Sequence, residues 1–343
     1  MSLYEEIYQQ PQVIKKELKQ NLTVIQGIAE AIKDIRSIFI AARGTSDNAA
    51  LYAKYLWGIQ NQLPVMLAAP TMFKQYGSPP RLPGSLVVAI SQSGQSPDIL
   101  EVLYEGKRQG CPTLAITNAP HSPMAEIADF VLDVRAGLEK AVAATKTYTA
   151  QLLGIAMLSV ILKGDTKRMD ELHRLPDLAS QVLEQDEIIA RAALRYRYMQ
   201  HCVVLGRGYN YSTAFEWSLK LKELTYVVAE PYSSADFQHG PIAMVASGFP
   251  VMAIAPNGAV YPDMLSVLQR LRDQHDAELM VISNNKTALE LATSPVELPA
   301  DTPEWISPII SIMPAQLVAY YVAKVKGLDT ESPRGLTKVT LTH

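Results

Sequence analysis

The chain has 343 residues and a formal net charge of −3, with 48% hydrophobic and 19% charged residues. Its length fits about two domains of ordinary size, and its composition excludes a mainly disordered protein. Because the charge is slightly negative and no basic block occurs, the composition disfavours a nucleic-acid-binding protein as well. The two cysteines, Cys111 and Cys202, are too few for a disulfide framework or a cysteine-rich zinc site, and their apolar surroundings predict buried side chains.

The N-terminus does not resemble a targeting segment, because MSLYEEIYQQ has no basic stretch followed by an apolar one. The longest uncharged apolar run identified in the sequence, Leu152–Leu162, is too short to cross a bilayer. We therefore expect a cytoplasmic protein that has no membrane partner.

The chain begins with a helical pattern over Leu3–Arg36, which we expect to break near Pro11. An internal repeat then organises the sequence. Matching segments lie 164, 164 and 166 positions apart, for the pairs Arg43 and Arg207, Leu86–Ile90 and Pro250–Ile254, and Leu114–Asn118 and Met280–Asn284. A nearly constant offset over three segments predicts two copies of one domain.

Each copy contains short, wholly apolar runs that are separated by segments of helix length. Strands that are apolar throughout are typical of parallel sheets covered on both faces. The sequence therefore predicts an α/β protein with two tandem domains, each a parallel sheet sandwiched by helices. The predicted segments are an N-terminal helical part (1–36), the first domain (37–163), a polar helical linker broken at Pro176 (164–200), the second domain (201–327) and a tail (328–343).

Ligands of parallel sheets bind where strands end and helices begin. In the first copy, one such loop carries Thr45 and Ser46 and leads into a helix predicted over Asn48–Trp57. A second loop, Ser91–Ser96, leads into a helix predicted over Ile99–Gln109.

The second loop has the chemistry of a phosphate site. It places three hydroxyls and two amides around Gly94, which allows close approach of the backbone to an anion at a helix N-terminus. The alternative is that the serines only cap the helix, although capping needs just one or two hydroxyls. In the second copy Ala255–Gly258 replaces this loop, and Gly206-x-Gly208 lacks the third glycine of a dinucleotide fingerprint. Only the first copy is therefore expected to bind phosphate, and no Walker motif for a nucleoside triphosphate is present.

Glu216, Lys220 and Glu223 share one face of a helix predicted over Ala214–Val228. The ordinary interpretation of such spacing is a solvated ladder of ion pairs. His239 is by itself a packed or surface histidine.

Lys338, in the tail, is by itself an ordinary surface lysine. No group of His, Asp, Glu and Cys residues has the spacing of a metal site, and no Gly-x-Ser-x-Gly nucleophile elbow occurs.

Seven short motifs together resemble those of one family. In chain order they are Gly44-Thr-Ser46, Ser91-Gln-Ser-Gly94, Ala143-Ala-Thr-Lys-Thr147, Leu205-Gly-Arg-Gly208, Leu219-Lys-Leu-Lys-Glu223, His239-Gly-Pro241 and Pro333-Arg-Gly-Leu-Thr-Lys338. They are similar to the isomerase portion of glucosamine-6-phosphate synthases, which consists of two sugar isomerase (SIS) domains. The resemblance extends from about residue 25 to the C-terminus.

This resemblance implies a substrate site for a hexosamine or hexose 6-phosphate. The residues that match its phosphate- and sugar-binding positions are Ser91, Gln92, Ser93, Ser96, Thr45, Ser46 and, through its backbone, Val142. No metal or organic cofactor is implied.

The resemblance also implies catalytic roles. Glu223 matches the carboxylate that moves a proton between C1 and C2, and Lys220 matches a lysine that lines the site. His239 matches the ring-opening histidine, which in the family comes from the neighbouring subunit, so a homodimer is expected. Lys338 matches the tail lysine that forms an imine with an open-chain ketose. These side chains suit proton transfer, ring opening and carbonyl capture.

Some positions depart from the family pattern. Arg43 stands where the synthases have cysteine, Thr337 where alanine is usual, and Ala144 where they have serine. The chain begins Met1-Ser2, without a glutaminase domain or its cysteine nucleophile. The resulting expectation is a deaminase that converts glucosamine 6-phosphate to fructose 6-phosphate and ammonia. The alternatives are a deglycase of amine-linked (Amadori) sugar 6-phosphates and a non-catalytic sugar-phosphate sensor.

Overall fold

The structure is a computed structural model that describes residues 2–338. The chain divides into two compact units. Among the described residues, the first unit consists of Gln12–Glu139, Lys146–Arg174, Thr337 and Lys338; the second consists of residues 2–11, Lys140–Thr145 and Leu175–Leu336.

Ten strands form two sheets in the described part of the chain. Their bounds are β1 (Ser37–Ala42), β2 (Val65–Leu67), β3 (Ser85–Ile90), β4 (Thr113–Thr117), β5 (Phe130–Asp133), β6 (His201–Gly206), β7 (Val228–Ser233), β8 (Pro250–Ile254), β9 (Glu278–Ser283) and β10 (Ser294–Glu297). The first sheet, in the first unit, has the order β2-β1-β3-β4-β5, and the second has the order β7-β6-β8-β9-β10. All neighbouring strands are parallel.

The helices of the described residues are α1 (Leu3–Tyr8), α2 (Gln10–Gln20), α3 (Leu22–Ala31), α4 (Thr45–Gln60), α5 (Thr71–Lys74), α6 (Pro97–Arg108), α7 (Pro123–Ile127), α8 (Lys146–Lys163), α9 (Thr166–His173), α10 (Leu175–Leu183), α11 (Asp186–Ala193), α12 (Tyr211–Thr225), α13 (Ser234–Gln238), α14 (Tyr261–His275), α15 (Lys286–Leu291) and α16 (Ser307–Val325). Short 3₁₀ turns lie at Leu194–Tyr196, Gly208–Asn210, Pro241–Met244 and Glu304–Ile306.

The two sheets have the same topology, which confirms the duplication and the predicted α/β class. Strands β1, β3 and β4 correspond in order to β6, β8 and β9, the three pairs that the sequence offsets predicted. The sequence did not predict edge strands such as β2, because a strand of three residues is too short to form a recognisable apolar run.

Alternating strand residues build the two faces of each sheet. In the first unit, Phe39, Val87 and Ala115 belong to a core cluster on the side of α5, α6 and α7. On the opposite side α8 packs against α3 and α4, and the Trp57 indole donates a hydrogen bond to the Ile155 carbonyl at 3.2 Å. Helix layers thus cover both faces, as wholly apolar strands require. Cys111 lies in this core, as predicted.

The second unit repeats this arrangement. Val203, Val251 and Val281 pack with α13, α14 and α15, while α12 contacts β6 and β7 and packs against α16. Cys202 is buried, and burial raises its thiol pKa to about 12, so it is an inert core residue.

Both predicted helix breaks occur within two residues of the proline that indicated them, and each proline lies in the first turn of the helix that follows. Pro11 is the second residue of α2, and Pro176 is the second residue of α10. Proline is tolerated in the first turn because its missing N–H would have no acceptor within the helix. The breaks themselves lie at Gln9 and Arg174.

The sequence interpretation also overlooked a long apolar segment. Glu304–Val325 is long and apolar enough to cross a membrane, but 89% of its most apolar window is buried inside the protein. Such burial is typical of the core helix of a globular domain.

Gly106 of α6 is a packing requirement of the first unit. A Cβ on this residue would lie 2.8 Å from Cγ2 and 2.9 Å from Cβ of Val87 on β3. Gly27, in α3, has no atom within 4 Å of such a Cβ. We predict that Gly106→Ala lowers the free energy of unfolding by about 1 kcal/mol, because overpacking outweighs the gain in helix propensity. Gly27→Ala should raise it by about 1 kcal/mol. Urea denaturation tests the pair; equal effects of the two variants would contradict the packing argument.

Glu17 of α2 is a buried carboxyl whose two oxygens have no hydrogen-bond partner among the described residues. Burial raises its pKa well above the usual range. The native state therefore binds a proton that the unfolded state releases above about pH 4, and stability falls as pH rises from there toward the native pKa.

We predict that Glu17→Gln removes this pH dependence. Its advantage in stability over the natural protein should grow between pH 5 and pH 8 in urea denaturation. The exposed Glu101→Gln should follow the natural protein at both pH values. A Glu17→Gln difference that does not vary with pH would show that Glu17 is ionised when buried.

Candidate functional site

The loop Ser91–Ser96 lies between the end of β3 and the start of α6, in the first unit. Gly94 has a φ of +63°, and a Cβ there would lie 2.0 Å from Oγ of Ser122. The Gly94 N–H donates to Oγ of Ser91 at 3.1 Å, and the Gly94 carbonyl accepts from the N–H of Met124 at 3.2 Å. These bonds hold the loop in one conformation that only glycine can supply at position 94.

Ser96 occupies the N-cap position of α6, but its hydroxyl makes no capping hydrogen bond. Pro97 follows and contributes no N–H. The hydroxyl of Ser96 is therefore not used to stabilise the helix, which supports the phosphate interpretation over simple capping. Ser93 and Gln92 are partly exposed, so a ligand can reach their polar groups.

Thr45 and Ser46 begin α4, directly after β1. Because β1 pairs in parallel with β3, and Ala42 lies opposite Ile90, the two loops leave the same edge of the sheet. Strand order reverses between these strands, which is the position where parallel sheets bind ligands. Ser46 is buried, and its Oγ accepts from the Gln151 side chain at 3.1 Å.

An ion pair joins the two loops. The Nε of Arg43 donates to Oδ2 of Asp98 at 2.8 Å, and a second guanidinium nitrogen lies at the same distance from that oxygen. Asp98 is almost fully buried in the first turn of α6. The cation of Arg43 thus offsets a carboxylate beside the loop, which would otherwise repel a phosphate.

In the second unit, a carboxylate from elsewhere in the chain binds the corresponding loop. Glu304 accepts from the N–H groups of Ala259 (2.9 Å) and Val260 (3.4 Å), just ahead of α14. Its side chain also fills the space beside Gly258, where a Cβ would lie 2.1 Å from the carboxyl carbon. The protein itself therefore occupies the donors of this copy, which supports the prediction that only the first copy takes phosphate.

The face of α12 that carries Glu216, Lys220 and Glu223 is buried, not solvated, so the ordinary interpretation of a surface ladder is wrong. The Lys220 side chain is 1% exposed, with Nζ 3.3 Å from Oε1 of Glu216 and 2.5 Å from Oε2 of Glu223. Glu216 is fully buried, whereas the Glu223 side chain is 22% exposed. Glu223 alone of the three can meet a solute.

Opposing effects set the charge of Lys220. Burial by itself lowers its pKa, but the carboxylates of Glu216 and Glu223 raise the pKa by more, so the net shift is upward. Lys220 therefore remains an ammonium at neutral pH. Its charge is held where it can stabilise negative charge that develops next to Glu223.

His239 is exposed at the end of α13, in the second unit. Val142 lies in a segment of the same unit that Glu6 of α1 fixes. The buried carboxylate of Glu6 accepts from the N–H groups of Lys140 (2.5 Å) and Ala141 (3.2 Å). This contact sets the backbone that leads into Val142.

The tail is attached to the second unit through Tyr226. The Tyr226 hydroxyl accepts from the N–H of Arg334 at 2.7 Å, and the Arg334 guanidinium lies over the Tyr226 ring, 4.3 Å from its centre. Tyr226 caps α12 in the left-handed region, with a φ of +58°.

Lys338 lies in the first unit, where its Nζ is 2.7 Å from Oε2 of Glu139. The Lys338 side chain is 24% exposed, so it reaches the surface as the default interpretation expected, but its ammonium is ion-paired.

The sequence interpretation did not single out Glu6, Asp98, Glu139, Tyr226 or Glu304. Each acts through a partner distant in sequence, or through a backbone conformation. No local spacing marks the four carboxylates of this set among the 34 acidic side chains, or Tyr226 among the 16 tyrosines. In the described residues no group of three or more His, Cys, Asp or Glu side chains is arranged to hold a metal ion.

Two parallel sheets of identical topology, one of which ends in a hydroxyl-rich loop at a helix start, define a duplicated sugar-isomerase-type fold. The SIS domain model matches residues 31–161 and again residues 197–326. The chain belongs to the SIS domain family.

The chain is similar to the glutamine–fructose-6-phosphate aminotransferases (isomerizing) of Thermococcus kodakarensis and Thermus thermophilus. It is 35% identical to the first over 346 residues and 34% identical to the second over 351 residues. These matches cover 98% of this chain, which spans 57% and 58% of the relatives' lengths. The C-terminal domain of glucosamine–fructose-6-phosphate aminotransferase from Francisella tularensis superposes with a TM-score of 0.89 at 30% identity, covering 96% of this chain and 98% of that one.

We predict that Gly94→Ala abolishes phosphate binding by the loop. The new Cβ would collide with Ser122, and the φ of +63° costs an alanine about 1 kcal/mol. Binding of inorganic phosphate, measured by calorimetry, should weaken at least tenfold. Gly77→Ala is the control, because Gly77 also has a positive φ (+56°) but has no atom within 4 Å of its Cβ position. Equal phosphate affinity in the natural protein and Gly94→Ala would place the anion elsewhere.

Proposed function

We propose that this protein is an aldose–ketose isomerase of hexosamine 6-phosphates that releases ammonia, with glucosamine 6-phosphate as substrate and fructose 6-phosphate as product. The pairing of partly exposed Glu223 with the buried ammonium of Lys220 supports this function most directly. A carboxylate that takes a proton from carbon and a fixed cation beside it are what such an isomerisation needs.

The loop Ser91–Ser96 binds the phosphate. The Ser96 hydroxyl, which makes no capping hydrogen bond, is available to an anion at the start of α6. The Arg43 cation offsets the nearby charge of Asp98. Thr45 and Ser46, at the same sheet edge, contact the sugar. Binding energy from the phosphate end then orients the reacting carbons.

Glu223 transfers the proton between the carbons. In the open-chain amino aldehyde it removes the proton from C2. The C–H electron pair forms a C1=C2 double bond and the carbonyl pair moves to the oxygen on C1, which gives an enolamine. Glu223 then returns the proton to C1, which leaves a ketimine at C2. Addition of water to the ketimine releases ammonia and the ketose phosphate. Lys220 stays protonated and stabilises the developing oxyanion.

His239 opens the pyranose ring, and we propose that it does so in the active site of a second subunit of a homodimer. Its exposed position on the second unit is compatible with that role. Lys338 stabilises charge and captures the ketose carbonyl as an imine. Val142 contributes its backbone to the sugar site.

The comparisons support the substrate class. The names of the relatives refer to fructose 6-phosphate, to glucosamine and to isomerisation, and the similarity covers nearly the whole of this chain. The proposed reaction connects the same two carbon skeletons.

The test is incubation with glucosamine 6-phosphate and measurement of both ammonia and ketose phosphate. We predict equal amounts of the two products from the natural protein. Glu223→Gln should reduce kcat about 10³-fold, within the usual range for loss of a general acid–base, while phosphate binding stays unchanged. Glu230→Gln, an exposed carboxylate on β7, is the matched control and should keep full activity.

Two results would refute this function. Production of neither ammonia nor ketose phosphate by the natural protein would exclude the deaminase. Preferential cleavage of a lysine-linked fructose 6-phosphate would identify the deglycase instead.

A further inference from the structure

Glu139 is a fully buried carboxylate at the start of the longest helix of the first unit. Its Oε1 accepts from the N–H of Thr147 at 3.1 Å, and its Oε2 accepts from the Thr147 hydroxyl at 2.8 Å. Both donors belong to the first turn of α8, where the helix dipole also favours negative charge. The bonds to Thr147 therefore fix the carboxylate independently of Lys338.

Lys338 completes the environment of this carboxylate. Its Nζ donates to Oε2 of Glu139 at 2.7 Å, across 199 positions of sequence. A lysine side chain loses rotamer entropy when it is held in one geometry, and a rigid buried anion is a suitable partner to hold it. The other nearby cation, Lys146, donates to the carbonyl of Leu138 at 2.7 Å.

We propose that Glu139 is a positioning residue for Lys338, which holds the Lys338 ammonium in place and accepts its proton when the amine captures the ketose carbonyl. This inference rests on the proposed function, in which Lys338 forms the imine. It assigns to Glu139 a role that no motif or comparison assigns.

The step balances within the pair and the substrate. One proton passes from the Lys338 ammonium to the Glu139 carboxylate, which frees the nitrogen lone pair. That pair forms the N–C bond to C2 of the open-chain ketose, and the carbonyl electron pair moves to oxygen. The oxygen takes up two protons, one of them from Glu139 and the other from the nitrogen, and leaves as water. The product is a protonated imine, whose charge is balanced by the restored Glu139 carboxylate, and its formation requires no oxidant or metal.

The test traps the imine. The natural protein is incubated with fructose 6-phosphate and cyanoborohydride, which reduces the C=N bond by hydride transfer, and the sugar on Lys338 is quantified by peptide mass spectrometry over a range of pH. We expect Glu139→Gln to change the pH dependence of trapping, because the variant lacks the carboxylate that holds the ammonium and accepts its proton. We expect kcat for ammonia release to fall at least tenfold, with KM nearly unchanged.

Two further variants keep the test interpretable if Glu139→Gln folds poorly. Glu139→Asp keeps the charge and should restore the natural trapping profile, although with a lower plateau. Thr147→Val removes one of the bonds that fix Glu139 and should lower kcat without shifting the profile. Glu17→Gln, which makes the same change at another buried carboxyl of the first unit, should leave both kcat and trapping unchanged.

The outcomes are distinct. An active natural protein whose trapping profile and kcat are the same in Glu139→Gln overturns the role of Glu139 and leaves the proposed function intact. A uniform loss of trapping at every pH in Glu139→Gln shows a purely structural role and also overturns the proposal. A natural protein that neither releases ammonia nor traps a ketose overturns both the proposed function and this inference.

Discussion

Parallel pairing of β1 with β3, and of β6 with β8, is the constraint on which the sites of this protein depend. In each sheet it aligns the carboxyl ends of two neighbouring strands. The remaining strands of the sheet are added on opposite sides of this pair. Two loops and two helix N-termini then leave the same edge, and N–H groups converge there without acceptors from the sheet. The apolar residues that stabilise this pairing are not reactive, but their packing determines which polar loops lie next to one another.

The two copies use this geometry differently. In the first, the Gly94 loop has a positive φ and leaves no room for a Cβ beside Ser122, and the Ser96 side chain does not cap its helix. In the second, the Glu304 carboxylate accepts hydrogen bonds from the N–H groups at the equivalent helix start. Helix N-termini favour anions from any source, so an internal carboxylate occupies this position in one copy and leaves it open to a phosphate only in the other. The two copies thus share one scaffold, and the proposed roles of phosphate loop and proton-transfer group fall on different copies.

Buried charges fix the groups that are proposed to react. Lys220 lies between two carboxylates, Glu139 between the first turn of α8 and Lys338, and Glu6 under the backbone of Lys140. An isolated buried ion is costly, so each persists because its partners satisfy it. Such pairs contribute little net stability, but they hold side chains in one geometry, and reactions that depend on orientation gain from that restriction.

The sequence by itself determined the duplicated α/β architecture, because wholly apolar runs at a constant offset require two parallel sheets covered on both faces. It also indicated the loop around Gly94, since clustered hydroxyls and a glycine are local properties. It misassigned the Lys220 face, because burial depends on what packs against a segment. Glu139 and Glu304 were decided only by the tertiary structure, for a physical reason: the energy of a charge depends on the donors that surround it, and these donors come from parts of the chain whose proximity no local pattern encodes.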